Sequence, residues 1–265
     1  MDSREILLYY SLKFSGDWDS IHKAIETKEE IDEKEARKLI KSNTSKYISY
    51  LDDEYPESLK RTPKPPFVLY YHGDISLISD ARNKIAVVGS RKVSEYGAEV
   101  TTRLVSEIAE DFVIVSGLAY GVDALAHWAS INNNGKTVAV LGCGINLCYL
   151  KENQDLYDVI KERHLLLSEY PNETPPTIRS FPIRNRIIAG LCENLLITEG
   201  KIASGTQITA FLMAGKDGNI CCVPTHIGED SICNHLISEG AFLVETAQDI
   251  YEVAHVVKNK PVFEN

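Results

Sequence analysis

From Asn83 onward the chain alternates between two kinds of segment. IAVVG, FVIVSG, TVAVLG, HLLLSEY, NLLITEG and NICCVP are short, nearly unbroken apolar runs rich in β-branched residues. Between them lie stretches with apolar residues three and four apart: SEYGAEVTTRLVSEIAED, GVDALAHWASINNN, ENQDLYDVIKER, RNRIIAGL and SGTQITAFLMAGKDG. A strand that is apolar at every position is covered on both faces, as in a parallel sheet between two helix layers. Six such units predict a doubly wound α/β fold with a mainly parallel sheet, ending in a helix over AQDIYEVAHVV.

The first fifty residues read differently. REILLYYSLKF, DWDSIHKAIET and DEKEARKLIKS have helical spacing, with Asp17 and Asp32 as N-caps. A proline-rich connector, YPESLKRTPKPPF, follows. The expected organisation is a small helical N-terminal domain over 1–50, a connector over 51–82 packing on the main domain, and an α/β domain over 83–265.

In an open α/β sheet, ligands bind outside the carboxyl ends of the strands. Those ends carry VVGSRKVSEYG, SGLAYGVD, LGCGIN, the long loop that delivers SFPIRNR, and TEGKIASGTQITA. The rim thus collects Gly89, Ser90, Arg91 and Gly117 with Phe181, Arg184, Asn185 and Arg186. Ser204, Gly205 and Thr206 read as a helix N-terminus, whose N–H groups favour an anion. This set points to a phosphate site. VVGSRKVSEYG is not the G-x-G-x-x-G dinucleotide fingerprint, so no nicotinamide cofactor is expected.

Charge sharpens the picture. The chain is acidic, with 28 Lys+Arg against 38 Asp+Glu and a formal net charge of −10, yet no acidic residue falls between Thr174 and Cys192. A Debye length of about 8 Å at physiological salt lets a local basic site persist on an acidic molecule. The arginines of SFPIRNR therefore either hold phosphates or pair with acids distant in sequence. Phe181 beside them is either a stacking surface for bases or a loop anchor on the core.

Asp123 and His127, four apart on a predicted helix, read as a structural hydrogen-bonded pair. Glu169 and Glu199 each end a strand, so a carboxylate pair for hydrolysis is conceivable. No serine, cysteine or metal constellation is legible, and a binder is favoured over an enzyme. The six cysteines form no C-x-x-C pair and sit largely in apolar runs, which fits a reducing interior. The N-terminus is neither a signal peptide nor a membrane span, so a cytoplasmic protein is expected.

YPESL, PPFVLYYHGD, VVGSR, SGLAYGVDALAH, AVLGCGINLCY, LLLSEY, FPIRNRIIAG, SGTQITA and NHLISEGA, in this order, resemble the DprA/Smf family of DNA-processing proteins. The resemblance runs from about Tyr55 to Ile250. It implies a Rossmann-like domain that binds single-stranded DNA, a homodimer, and help in loading the RecA recombinase during natural transformation. It would put the DNA pocket on Gly89, Ser90, Arg91, Phe181, Arg184, Asn185, Arg186, Ser204, Gly205 and Thr206, with apolar residues of 210–213 and 232–237 available for a dimer. Thr225, Leu150 and Thr198 depart from the family pattern and put local loop shapes in doubt. The winged-helix domain that ends many members is not expected here. The competing reading is a phosphoribohydrolase of the lysine-decarboxylase-like type, whose catalytic glutamate is replaced by Thr209 in SGTQITA. A third is a sensor of a small phosphorylated nucleotide.

Overall fold

The computed structural model describes residues 1–79 and 83–256. The junction expected at residue 82 and the end of the chain after residue 256 lie outside the described residues. In chain order the elements are α1 (Ser3–Lys13), α2 (Trp18–Glu26), α3 (Glu33–Ser42), β1 (Lys46–Ser49), α4 (Glu57–Lys60), β2 (Val68–Gly73), β3 (Asn83–Val88), α5 (Glu95–Ile108), β4 (Phe112–Ser116) and α6 (Val122–Asn132). There follow β5 (Lys136–Leu141), α7 (Gln154–Arg163), β6 (Leu165–Ser168), α8 (Ser180–Leu191), β7 (Asn194–Ile197), α9 (Gly205–Ala214), β8 (Asn219–Cys222), α10 (Ile232–Ser238), β9 (Phe242–Leu243) and α11 (Ala247–Val253).

The six expected strands are β3 to β8. They lie parallel within one sheet of order β1-β2-β6-β5-β4-β3-β7-β8-β9. Alternate residues of each strand feed opposite cores: Ala86, Val113, Val138, Leu167 and Leu195 one face, Ile85, Val87, Ile114 and Leu196 the other. Helices α4, α8, α9 and α10 cover the first face, and α5, α6 and α11 the second. This double burial explains the unbroken apolar runs.

Strand order reverses between β3 and β7. The helix after β3 lies on one face and the helix after β7 on the other, so a crevice opens at the carboxyl ends of these two strands. In sheets of this kind, such a crevice is where ligands bind.

Asp17 and Asp32 cap α2 and α3 through bonds to Ser20 N and Lys34 N, as their positions suggested. The sheet starts earlier than the sequence pattern indicated. KYIS forms β1, and VLYYHG forms β2, which runs antiparallel to β6 with Tyr70 opposite Ser168. The segment between the N-terminal helices and Asn83 is thus partly sheet. Among the described residues no helix is long and apolar enough to cross a membrane.

His127 and His164 are buried, at 0% and 5% exposure. Burial pushes His127 down to about 3 and His164 down to about 4. Below the ordinary histidine range the unfolded chain takes up protons that the folded chain refuses, so stability falls as pH falls through that window. His127 alone should account for a loss of about 2 kcal/mol between about pH 7 and pH 5. Urea unfolding across that range checks this: H127N, which keeps a partner for Thr137, should flatten the profile by about that amount. An unchanged profile would mean the histidine is not held neutral.

Candidate functional site

A cleft of about 1320 Å³ opens at the β3–β7 crevice. The β3–α5 loop brings Gly89, Ser90, Arg91 and Lys92 to one side, and α8 brings Phe181, Arg184 and Asn185 to another. The loop after β7 and the start of α9 supply Lys201, Ser204, Gly205 and Thr206. Gly117 lines only a smaller adjoining cavity of about 50 Å³, beneath Phe181 and Tyr149.

The helix expected over RNRIIAGL begins earlier and takes in all of SFPIRNR. SFPIRNR is the first half of α8, and this decides what its arginines do. Residues two apart on a helix point about 200° apart, so Arg184 and Arg186 cannot both face one cleft. Arg184 lines the main cleft, whereas Arg186 lines a separate cleft across α8. Arg186 is 6% exposed, and its Nη2 donates to Glu169 Oε1 at 2.6 Å. Its Nε donates to the Lys64 carbonyl at 2.9 Å and its Nη1 to the Ile183 carbonyl at 3.3 Å. Burial pushes Glu169 up from the ordinary carboxylate range, and the guanidinium pulls against that rise. Of the two alternatives open for these arginines, Arg186 has a partner within the chain, the distant acid Glu169.

Arg184 is also buried. Nη1 donates to the carbonyls of Gly117 and Val140, and Nε to Asn185 Oδ1 at 3.1 Å. A Cβ at position 117 would stand 2.3 Å from Nη1, so that glycine makes room for Arg184. Burial lowers the Arg184 pKa, and the charge of Asp123 pulls against that fall. Nη2 makes no hydrogen bond to the described residues, which leaves its two N–H donors unused.

The start of α9 is open. Ser204 turns its hydroxyl back to the Lys201 carbonyl, no acidic residue occupies the first turn, and a Cβ at Gly205 would meet nothing within 4 Å. The N–H groups of Gly205 and Thr206 donate to none of the described residues, so they are free for an anion. Asn185 Nδ2 ties this turn to α8 through the Gly205 carbonyl at 3.3 Å.

Phe181 is half-buried and pairs with Tyr149, their ring centroids 5.7 Å apart and tilted by 45°. The Arg91 guanidinium lies 5.5 Å from the Phe181 centroid. Tyr149, 51% exposed, escaped the sequence reading. The one available signal was its position in the loop after a strand.

The catalytic candidates are committed elsewhere. Asp123 and His127 do not bond each other: Asp123 accepts from the N–H groups of Gly117 and Ala119, and His127 Nδ1 meets Thr137 Oγ1 at 2.6 Å. Glu199 accepts from Ser94, and Thr209 donates to the Gly205 carbonyl. Among the described residues no group of three or more His, Cys, Asp or Glu could hold a metal.

Comparison with known proteins agrees with the fold. A family model described as DNA recombination-mediator protein A matches residues 46–255. The DNA processing protein DprA of Streptococcus pneumoniae is 42% identical over 205 residues, covering 77% of this chain and 72% of that protein. The X-ray structure of DprA from Streptococcus pneumoniae superposes with a TM-score of 0.80 at 36% identity, over 93% of this chain and 90% of that one. DprA from Helicobacter pylori, whose structure concerns its single-stranded DNA binding mode, superposes with a TM-score of 0.72 at 27% identity, over 80% and 97%.

The contrast between fixed and displayed charge is measurable without a ligand. Glu169→Ala leaves the Arg186 guanidinium buried and unpaired and should cost about 3 kcal/mol or more in denaturant unfolding. Arg91→Ala removes an exposed side chain and should change stability by less than about 0.5 kcal/mol. Equal effects would contradict the division.

Proposed function

Because the chain belongs to the DNA recombination-mediator protein A family, we propose that it binds single-stranded DNA in the β3–β7 cleft. The observation that carries this reading is the pairing of two features in one cleft. Arg91, Lys92 and Lys201 are exposed there with no ion pair among the described residues, beside the open first turn of α9. The Tyr149–Phe181 aromatic pair lies in the same cleft, with Phe181 directly beneath the Arg91 guanidinium. Cations and free N–H groups suit the phosphates of a strand, and aromatic faces stack bases of any sequence. Among the described residues no basic helix lines this cleft to enter a duplex groove.

The binding set is the Gly89–Ser90–Arg91 loop, Phe181 with Tyr149, Arg184 and Asn185 at the floor, and Ser204–Gly205–Thr206. Gly117 and Arg186 support this set by holding Arg184 and α8. Hydrolysis of nucleotides finds no support: the carboxylates Glu169 and Glu199 are occupied, and Thr209 stands where the hydrolase glutamate would be.

The same reading makes the protein a cytoplasmic mediator that helps load the RecA recombinase on incoming single strands and works as a homodimer. Of the residues 210–213 and 232–237 named for a dimer, Ala210, Met213, Ile232, Cys233 and Leu236 are buried, whereas Phe211 is 60% exposed. The edge strand β9 offers a further surface, with Phe242 and Leu243 near half exposure.

Titration of a labelled oligonucleotide at several salt concentrations tests the core of the proposal. Three displayed cations predict a log–log slope of about −2, and Arg91→Ala should flatten it by about 0.7. Phe181→Ala should weaken binding by about 1–3 kcal/mol with the slope retained. A duplex of equal length that competes equally well would refute the single-strand preference.

A further inference from the structure

The span from Ser90 to Ser94 displays Arg91 and Lys92 to the cleft, and both of its ends are held by a single residue of the neighbouring strand's loop. The backbone carbonyl of Glu199 accepts the Ser90 N–H at 2.8 Å. Its carboxylate accepts the Ser94 N–H at 3.0 Å and the Ser94 hydroxyl. Ser94 then caps α5 by accepting from Gly97 N at 3.0 Å, while the Ser90 carbonyl is taken by Val122 N at 3.1 Å. The grip crosses the point where strand order reverses, so it fixes one wall of the cleft relative to the other.

Glu199 does not line the cleft. A carboxylate close beneath a phosphate-binding loop opposes the ligand electrostatically, so its contribution is geometric. The chain leaves space for it: a Cβ at Gly97 would stand 2.3 Å from Glu199 Oε2. We infer that Glu199 is a positioning residue for strand binding, which sets the Ser90–Ser94 span so that Arg91 meets a phosphate. The inference rests on the single-strand reading above.

The test compares E199A, E199Q, G97A, R91A and the double variant E199A/R91A in oligonucleotide titrations over a range of salt, with thermal melts as a check on folding. R91A should weaken binding about tenfold, the worth of one charge-assisted contact. E199A should match it in affinity and flatten the salt slope by the same amount of about 0.7. The double variant should be no weaker than R91A. E199Q keeps an acceptor for Ser94 while losing the charge, and should recover most of the affinity and the slope. G97A leaves Glu199 in the sequence, pushes its carboxylate off Ser94 and should reproduce the E199A defect, even though alanine favours the helix.

Wild-type binding with E199A and G97A equal to wild type overturns the inference, as does a double variant whose losses add. E199Q as weak as E199A would assign the effect to charge and also overturn it. A wild-type chain that binds no strand sinks the functional reading itself, which is a separate outcome. If E199A fails to fold, E199Q and G97A still decide.

Discussion

The buried pair between Arg186 and Glu169 is the constraint on which the site depends. Glu169 follows β6, Arg186 lies on α8, and the guanidinium also binds the carbonyl of Lys64 in the proline-rich segment. The turn between α1 and α2 closes on the same point. Gly16, at φ +78°, lies so near the Glu169 carbonyl oxygen that a Cβ there would stand 2.5 Å away. Four segments far apart in sequence thus meet at one charge pair. Two ions out of water are costly unless their remaining donors and acceptors are met, and here each donor nitrogen of the guanidinium has an acceptor. The pair can hold only if α8 sits in one register and rotation.

That placement propagates. With Arg186 turned inward, the helical repeat turns Arg184 to the floor of the main cleft and sets Phe181 one turn earlier at its rim. Asn185 links α8 to the first turn of α9. Charge at the site therefore falls into two kinds. Arg186 is committed to the scaffold, while Arg91, Lys92 and Lys201 are exposed in the cleft that Arg184 floors. A net charge of −10 does not oppose this, because distant surface charge is screened within about 8 Å at physiological salt.

Much of the fold was legible in the chain. The six parallel strands announce themselves through runs apolar at every position, and Ser204–Gly205–Thr206 marks a helix start by composition alone. β1 and β2 were not legible, because KYIS is too short to show a period and VLYYHG follows two prolines. The site was legible as a neighbourhood and not as a set of roles. Whether SFPIRNR is loop or helix decides which way each arginine faces, and the proline at position 182 obscures the helix. The acid that neutralises Arg186 lies outside the acid-free stretch, so local charge composition could not reveal it. Asp123 and His127 have the spacing of a pair, yet each finds a better partner in the tertiary structure. Thr198, a departure from the family pattern, bonds Thr101 at 2.6 Å in the core, a contact visible only after folding.

Arginines of one acidic protein thus divide between scaffold, at Arg186, and proposed strand contact, at Arg91. Side-chain nitrogen NMR of the arginines tests this division most directly, read with and without a saturating single-stranded oligonucleotide. The Arg91 Nε–H resonance should move on binding, while that of Arg186, held by the Lys64 carbonyl, should keep its shift and its slow exchange with solvent. Movement and loss of protection at Arg186 equal to the change at Arg91 would contradict the account.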